Sequence, residues 1–232
     1  MANRDEIKRR KDKKKRKDIT PFIIIGVLAL VILGIVILST YKPAAKVIDP
    51  TFHKATISSG LTKGDPNAPI KLIEFADFQC PGCGSFWANT EATVVKNYVE
   101  TGKVFYTYSP FSFVGSFVKN NPWDESVKAA EAAYCANDQG KFWEYHDYLF
   151  ANQNGENQGG FSEKNLLSFA SKLSLDMKTF TNCLKTDQYN QKVLDANDFA
   201  TKSGITQTPS FMINGTLVTG DLITALDAAV NK

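Results

Sequence analysis

The sequence predicts an α/β domain, ordered β-α-β, helical block, β-β-α, behind one N-terminal apolar helix, and three observations predict it. An apolar run, Ile70-Lys71-Leu72-Ile73-Glu74-Phe75, leads almost directly into Cys80-Pro81-Gly82-Cys83 and a helical pattern. From about residue 123 to residue 202 the periodicity stays helical, and strand pattern returns at Ser210–Ile213. Far upstream, residues 22–38 read FIIIGVLALVILGIVIL, seventeen positions without a charge.

That apolar run, extended by Ile19-Thr20-Pro21 and Ser39-Thr40-Tyr41, is long enough to cross the roughly 30 Å hydrocarbon core of a bilayer. Residues 1–18 carry ten Lys/Arg against four acidic residues, whereas only Lys42 and Lys46 follow closely on the other side. The positive-inside rule keeps the N-terminus in the cytoplasm and sends the rest outward. A cleaved signal peptide is the competing reading. Its apolar core runs only 7–15 residues, and no clear small-x-small site follows here. Export follows from either. The formal charge of +3 over 232 residues hides this asymmetry: without the tail the chain is slightly acidic, with no basic surface for nucleic acid. With 43% apolar and 22% charged residues, the remainder reads as an ordinary globular protein.

Residues 42–65, with breakers at Pro43, Pro50, Gly60 and Gly64, are expected to be a linker, and 66–232 one domain. Asp65-Pro66-Asn67-Ala68-Pro69 signals a loop, and the run from Ile70 a buried strand. After the C-x-x-C, Phe86, Val94, Val95, Tyr98 and Val99 mark a long helix that Gly102 ends. Val104-Phe105-Tyr106-Thr107-Tyr108 is a second strand. In the helical block, Ala129, Ala130, Ala132, Ala133 and Ala136 fill one helix and Phe142, Trp143, Tyr145, Tyr148, Leu149 and Phe150 another. A Gly-rich loop at 152–160 and three shorter helical runs follow. Asn214-Gly215 is a hairpin turn between Ser210–Ile213 and residues 216–219, and Asp221 caps a last helix through Val230.

A C-x-x-C turn between a strand and a helix has a definite chemical consequence. Pro81 suits the first helical turn, where its missing N–H is not needed. Cys80 then sits at the helix N-terminus, beside unpaired N–H groups and the positive end of the dipole. Both favour thiolate over thiol, and a stabilised thiolate makes the disulfide a better oxidant. Cys80 is the expected nucleophile and Cys83, one turn on, the resolving thiol. Two other readings stay open at this point. C-x-x-C is half of a zinc site, although zinc needs four ligands and His53, His146, Cys135 and Cys183 supply no second close pair. A purely structural disulfide is the other.

These residues resemble the DsbA-like branch of the thioredoxin superfamily, the BdbD/DsbA type, from about Gly64 to the C-terminus. The resemblance is carried by GDPNAPIKLIEFADFQCPGCGSF, AAYCANDQGKFWEYHDYLF and TPSFMING. It implies a thioredoxin fold with a helical insertion at about 123–202. It also implies a cis-proline loop at Thr208-Pro209 against the disulfide, which X-Pro chemistry permits; an ordinary trans proline at a strand start is the plain alternative. Glu74, six residues before Cys80, stands where related proteins carry a buried carboxylate. The resemblance makes it a proton acceptor for Cys83, its pKa raised by burial; otherwise it is a strand residue facing water. One departure is visible: DsbA has a histidine between its cysteines, and here Gly82 takes that place.

Cys135 and Cys183 are expected to form a structural disulfide, worth roughly 4 kcal/mol by loop closure; two buried free thiols are the alternative. His146, amid aromatic residues, reads as a packed or surface histidine rather than a base. The favoured function is disulfide exchange with exported cysteine-containing proteins, most of all disulfide donation, by a domain held outside the membrane. A membrane reoxidase of the DsbB or VKOR type is implied by resemblance, and no diffusible cofactor is needed because the cysteines carry the electrons. A reductase or isomerase with the same residues is the second reading. A membrane-tethered metal-binding or chaperone module is the third.

Overall fold

The central element is a strand buried from both sides. β3 (Ile70–Ala76) lies between β4 (Val104–Pro110), to which it is parallel, and β5 (Ser210–Ile213), to which it is antiparallel. Its side chains alternate. Leu72 and Ala76 enter the larger core, whereas Ile73 and Phe75 face a smaller one with Phe111, Ala200 and Ile205. Glu74 therefore shares the large-core face, and at 1% exposure it does not face water. The structure, a computed structural model, describes residues 20–40, 47–119 and 123–231. The basic tail, residues 19 and 41 of the expected anchor and residues 42–46 of the expected linker lie outside the described residues.

The chain divides into two units, Met1–Ala44 and Ala45–Lys232. In the first, α1 (Thr20–Thr40) is a 21-residue helix with neither acidic nor basic residues in its end turns. Its side chains are described only as far as Val36. Among the described residues, no helix is long and apolar enough to cross a membrane.

In the second unit, parallel strands β3 and β4 require a crossover, and the helical run α2, residues 81–99, supplies it. α2 begins as α-helix at Pro81–Phe86 and widens to π-helical turns at Trp87–Glu91 and Val95–Val99. It ends as Gly102 takes φ 72°. The expected helix face, Phe86, Val94, Val95, Tyr98 and Val99, is buried.

Residues 47–65 depart from the expected linker. They add two short strands, β1 (Ser58–Ser59) and β2 (Thr62–Lys63), and β2 pairs with β4; with β6 (Thr216–Leu217) beside β5 the sheet order is β1-β2-β4-β3-β5-β6. Lys63 is fully buried, its Nζ 2.8 Å from Glu91 Oε1, 2.7 Å from the His53 carbonyl and 3.9 Å from the Trp143 ring centre. Two-residue strands have no apolar periodicity to read, and a buried lysine is invisible until its partner is known.

The helical block comprises α3 (Glu125–Asn137), α4 (Phe142–Ala151), α5 (Glu163–Lys172), α6 (Met177–Lys185) and α7 (Asn190–Lys202). Asp124 caps α3 by accepting from the Ser126 and Val127 N–H groups. A Cys135–Cys183 disulfide ties α3 to α6. His146 is buried, with Nδ1 3.0 Å from Asp147 Oδ1. After β5, Asn214 and Gly215 turn with φ 49° and 81°. The strand that follows, β6 (Thr216–Leu217), is shorter than the pattern to Thr219 suggested. α8 (Leu222–Val230) closes the chain, and Asp221 Oδ1 accepts from the Thr224 N–H at 2.8 Å.

Candidate active site

β3 ends in a short loop, Asp77-Phe78-Gln79, that delivers Cys80 to the start of α2. Cys80 is the N-cap, with extended φ −70° and ψ 121°, and Pro81 is the first helical residue. Cys83 lies one turn on and is fully buried, while Cys80 is half-buried. The Thr208–Pro209 bond is cis. The Thr208 carbonyl lies 3.3 Å from Cys80 Sγ, where it accepts from the thiol. Gly82 is held close under this loop: a Cβ there would sit 3.1 Å from Pro209 Cδ. A side chain at residue 82 would therefore press on the proline ring.

The two thiols are chemically unlike. The Cys80 pKa falls to about 5, chiefly because the Cys83 thiol donates to its sulfur. Burial opposes that shift, and Thr208 and the N–H groups of Cys83 and Gly82 add to it. With the pair reduced, the Thr208 hydroxyl is buried and has no hydrogen-bond partner among the described residues. The helix-terminal N–H groups, the first cause suggested by sequence, come after the partner thiol. Burial pushes the Cys83 pKa well above that of an ordinary thiol. The hydrogen bond and charge of Cys80 and the charge of Glu74 push the same way.

Glu74 is buried, and the Tyr106 hydroxyl donates to its Oε2. Burial first, and the Glu91 carboxylate second, raise its pKa to about 8. Three residues not singled out from the sequence complete the surroundings. Asp77 is buried, and burial raises its pKa to about 6 despite four donors. These are the Phe113 and Val114 N–H groups at 2.9 Å, and the Gln79 N–H and Ser126 hydroxyl at 2.8 Å. Gln79 Nε2 donates to Ser126 Oγ at 2.9 Å. Gln153 Nε2 donates to the carbonyls of Phe78 and Cys80 at 2.7 and 2.9 Å. An acid closing an apolar strand was a usable signal for Asp77. Nothing local marked the two glutamines.

His53, Glu91 and Asp147 place ligand-type atoms within 4.8 Å of one another. Their atoms are already engaged: Lys63 Nζ holds Glu91 Oε1, Trp87 Nε1 donates to Asp147 Oδ1, and the His53 N–H donates to Asp147 Oδ2. Glu91 is paired with Lys63, and Asp147 is held by N–H donors. Cys135 and Cys183 bind each other and so offer no thiolate to the zinc reading of the C-x-x-C.

A half-buried, low-pKa thiol after the central strand, a buried resolving thiol and a proline loop leading into the neighbouring strand define a thiol–disulfide oxidoreductase of thioredoxin fold. A family model described as thioredoxin matches residues 56–232. The chain belongs to the thioredoxin family. It is 27% identical over 212 residues to the "Probable disulfide bond formation protein D" of Bacillus anthracis, covering 90% of this chain and 93% of that protein. It is 33% identical over 173 residues to "Na(+)/H(+) antiporter NhaA 1" of Salinispora arenicola, but that match spans 73% of this chain and only 24% of the antiporter. Among solved structures, oxidised BdbD from Bacillus subtilis superposes with a TM-score of 0.64 at 21% identity, over 80% of this chain and all of that one. At that identity the likeness is one of fold.

Proposed function

We propose that the protein donates disulfides to exported proteins, with Cys80 as nucleophile and Cys83 as resolving thiol. The observation that carries this is the inequality of the two thiols: a half-buried Cys80 at about pKa 5 beside a buried Cys83 driven upward. A thiolate stabilised in the reduced pair lowers the free energy of the reduced form, so the disulfide gives itself up readily. A substrate thiolate attacks Cys80 Sγ of the oxidised pair. The Cys80–Cys83 bond breaks, Cys83 leaves with the electron pair, and a mixed disulfide to Cys80 forms. Glu74, protonated at neutral pH by its raised pKa, supplies the proton that Cys83 takes up, and accepts it again on reoxidation. A second substrate thiolate then attacks the substrate sulfur. The substrate disulfide forms, and Cys80 leaves as its stable thiolate. Two electrons have passed to the pair, and a membrane reoxidase of the DsbB or VKOR class would remove them.

The likeness to a protein named for disulfide bond formation, over nearly its full length, supports this direction. The uncharged run of residues 22–38, with its flanks to residue 41, supports an uncleaved anchor from the sequence. With the basic tail on its N-terminal side, the domain would face outward. The deciding experiment is to equilibrate the purified chain with glutathione. A potential near roughly −120 mV establishes a strong oxidant; one near roughly −270 mV makes the protein a reductase instead.

A further inference from the structure

The helical insertion meets the reactive loop at several side chains, and one of them binds the carbonyls on either side of the nucleophile. Gln153, half-buried in the loop after α4, spends both N–H bonds of its amide on the carbonyls of Phe78 and Cys80. These two carbonyls bracket the residue before the nucleophile and the nucleophile itself. The Cys80 carbonyl is also the first acceptor of α2, taking the Gly84 N–H at 3.1 Å. The approach is built in from the other side too. A Cβ on Gly84 would lie 2.5 Å from Gln153 Oε1, so only glycine lets the amide seat against the first turn of α2. The same loop is held again by Gln79, through Ser126 and the Asn157 N–H.

We propose that Gln153 is a positioning residue for Cys80, through which the insertion tunes the reactivity of the nucleophile. This deepens the disulfide-exchange reading and rests on it. The physical link is peptide geometry. A carbonyl cannot rotate without turning the peptide plane it belongs to. The Cys80 plane carries ψ of Cys80 and the Phe78 plane carries φ of Gln79, so the two held carbonyls fix the backbone on both sides of the nucleophile and with it the aim of Sγ at the N–H groups of Gly82 and Cys83 and at Thr208. Hydrogen bonds weaken steeply as they lose linearity. Releasing the two carbonyls therefore weakens the donors that stabilise the thiolate without removing any of them.

The test uses the purified full chain and two uncharged variants, Gln153→Met, similar in shape but without donors, and Gln153→Ala. Thiolate absorbance of the reduced protein gives the Cys80 pKa, and glutathione equilibration gives the potential. Expected is a rise of about half a unit or more, a roughly threefold loss in the thiolate equilibrium, with the potential moving to more negative values. Gly84→Ala should act in the same direction in the wild-type background and add nothing in the Gln153→Ala background. That cycle also serves if Gln153→Met fails to fold. A melting temperature that drops while pKa and potential stay at wild-type values would overturn the proposal and leave Gln153 merely structural. A wild-type chain with no reversible couple would instead overturn the exchange reading beneath it.

Discussion

At the scale of single residues, the site is two pairs of like groups pushed apart by their surroundings. Cys80 and Cys83 differ because one sulfur receives hydrogen bonds and the other is buried. Reduced protein should react with iodoacetamide at a rate that climbs through pH 5 and is flat from about pH 6.5 to 8. A rate still climbing at pH 8 would show an ordinary thiol. Glu74 and Glu91 form the second pair: burial works against both charges, but Lys63 holds the Glu91 pKa down while that of Glu74 rises to about 8. In the unfolded chain Glu74 ionises near 4.5, so between pH 4.5 and 8 the native state binds the extra proton. Stability contributed by that group falls as pH rises through this window. Glu74→Gln should match wild type in urea unfolding at pH 4 and exceed it by about 2–4 kcal/mol at pH 8. A gap that does not widen with pH would place the Glu74 pKa elsewhere. The same variant should slow oxidation of substrate thiols, since it removes the proton supply to Cys83.

At the scale of elements, the segment before the thioredoxin core is fastened by a buried charge. Lys63 on β2 meets Glu91 on α2 at 2.8 Å, with neither side chain exposed beyond 1%. His53 joins from the same segment, its Nδ1 3.3 Å from Glu91 Oε2. Such a pair adds little net stability over an apolar replacement, but removing one partner leaves an uncompensated charge. Lys63→Met should cost about 3–5 kcal/mol in chemical denaturation, and the Lys63→Met/Glu91→Leu double variant should recover most of that loss. If the double variant is as unstable as the single, packing of the lysine stem rather than charge fastens the segment. The Cys135–Cys183 bond fastens α3 to α6 by a different means, closing a loop of 48 residues.

At the scale of the whole molecule, the division into Met1–Ala44 and Ala45–Lys232 separates a proposed anchor from a catalytic unit. The full chain should stay with membranes through an alkaline carbonate wash, and protease added outside intact cells should digest the catalytic unit. A chain released by the wash would remove the anchor from the proposal. Within the catalytic unit, every reactive group sits where β3 hands the chain to α2 and β5 returns beside it. The helical insertion covers the same end through Gln153, Ser126 and Asn157. A fold whose sheet orders two cysteines and a proline thus leaves a separate block of helices to adjust them.

What the sequence by itself determined was whatever depends on neighbours in the chain. The Cys80–Cys83 spacing, Pro81 at the helix start, the Asn214-Gly215 turn and the long apolar faces of β3 and α2 are local signals, because backbone geometry repeats every two or every 3.6 residues. The role of Thr208-Pro209 was legible only through resemblance, since 128 residues separate Thr208 from Cys80. What only the tertiary structure decided were the long-range pairings of polar groups: Lys63 with Glu91, Asp77 with Ser126 and two N–H groups of the Phe113-Val114 turn, and Gln153 with the carbonyl of Cys80. A buried polar side chain has no sequence period of its own. Its burial is tolerable only because a distant partner satisfies it, and that partner is chosen by the fold.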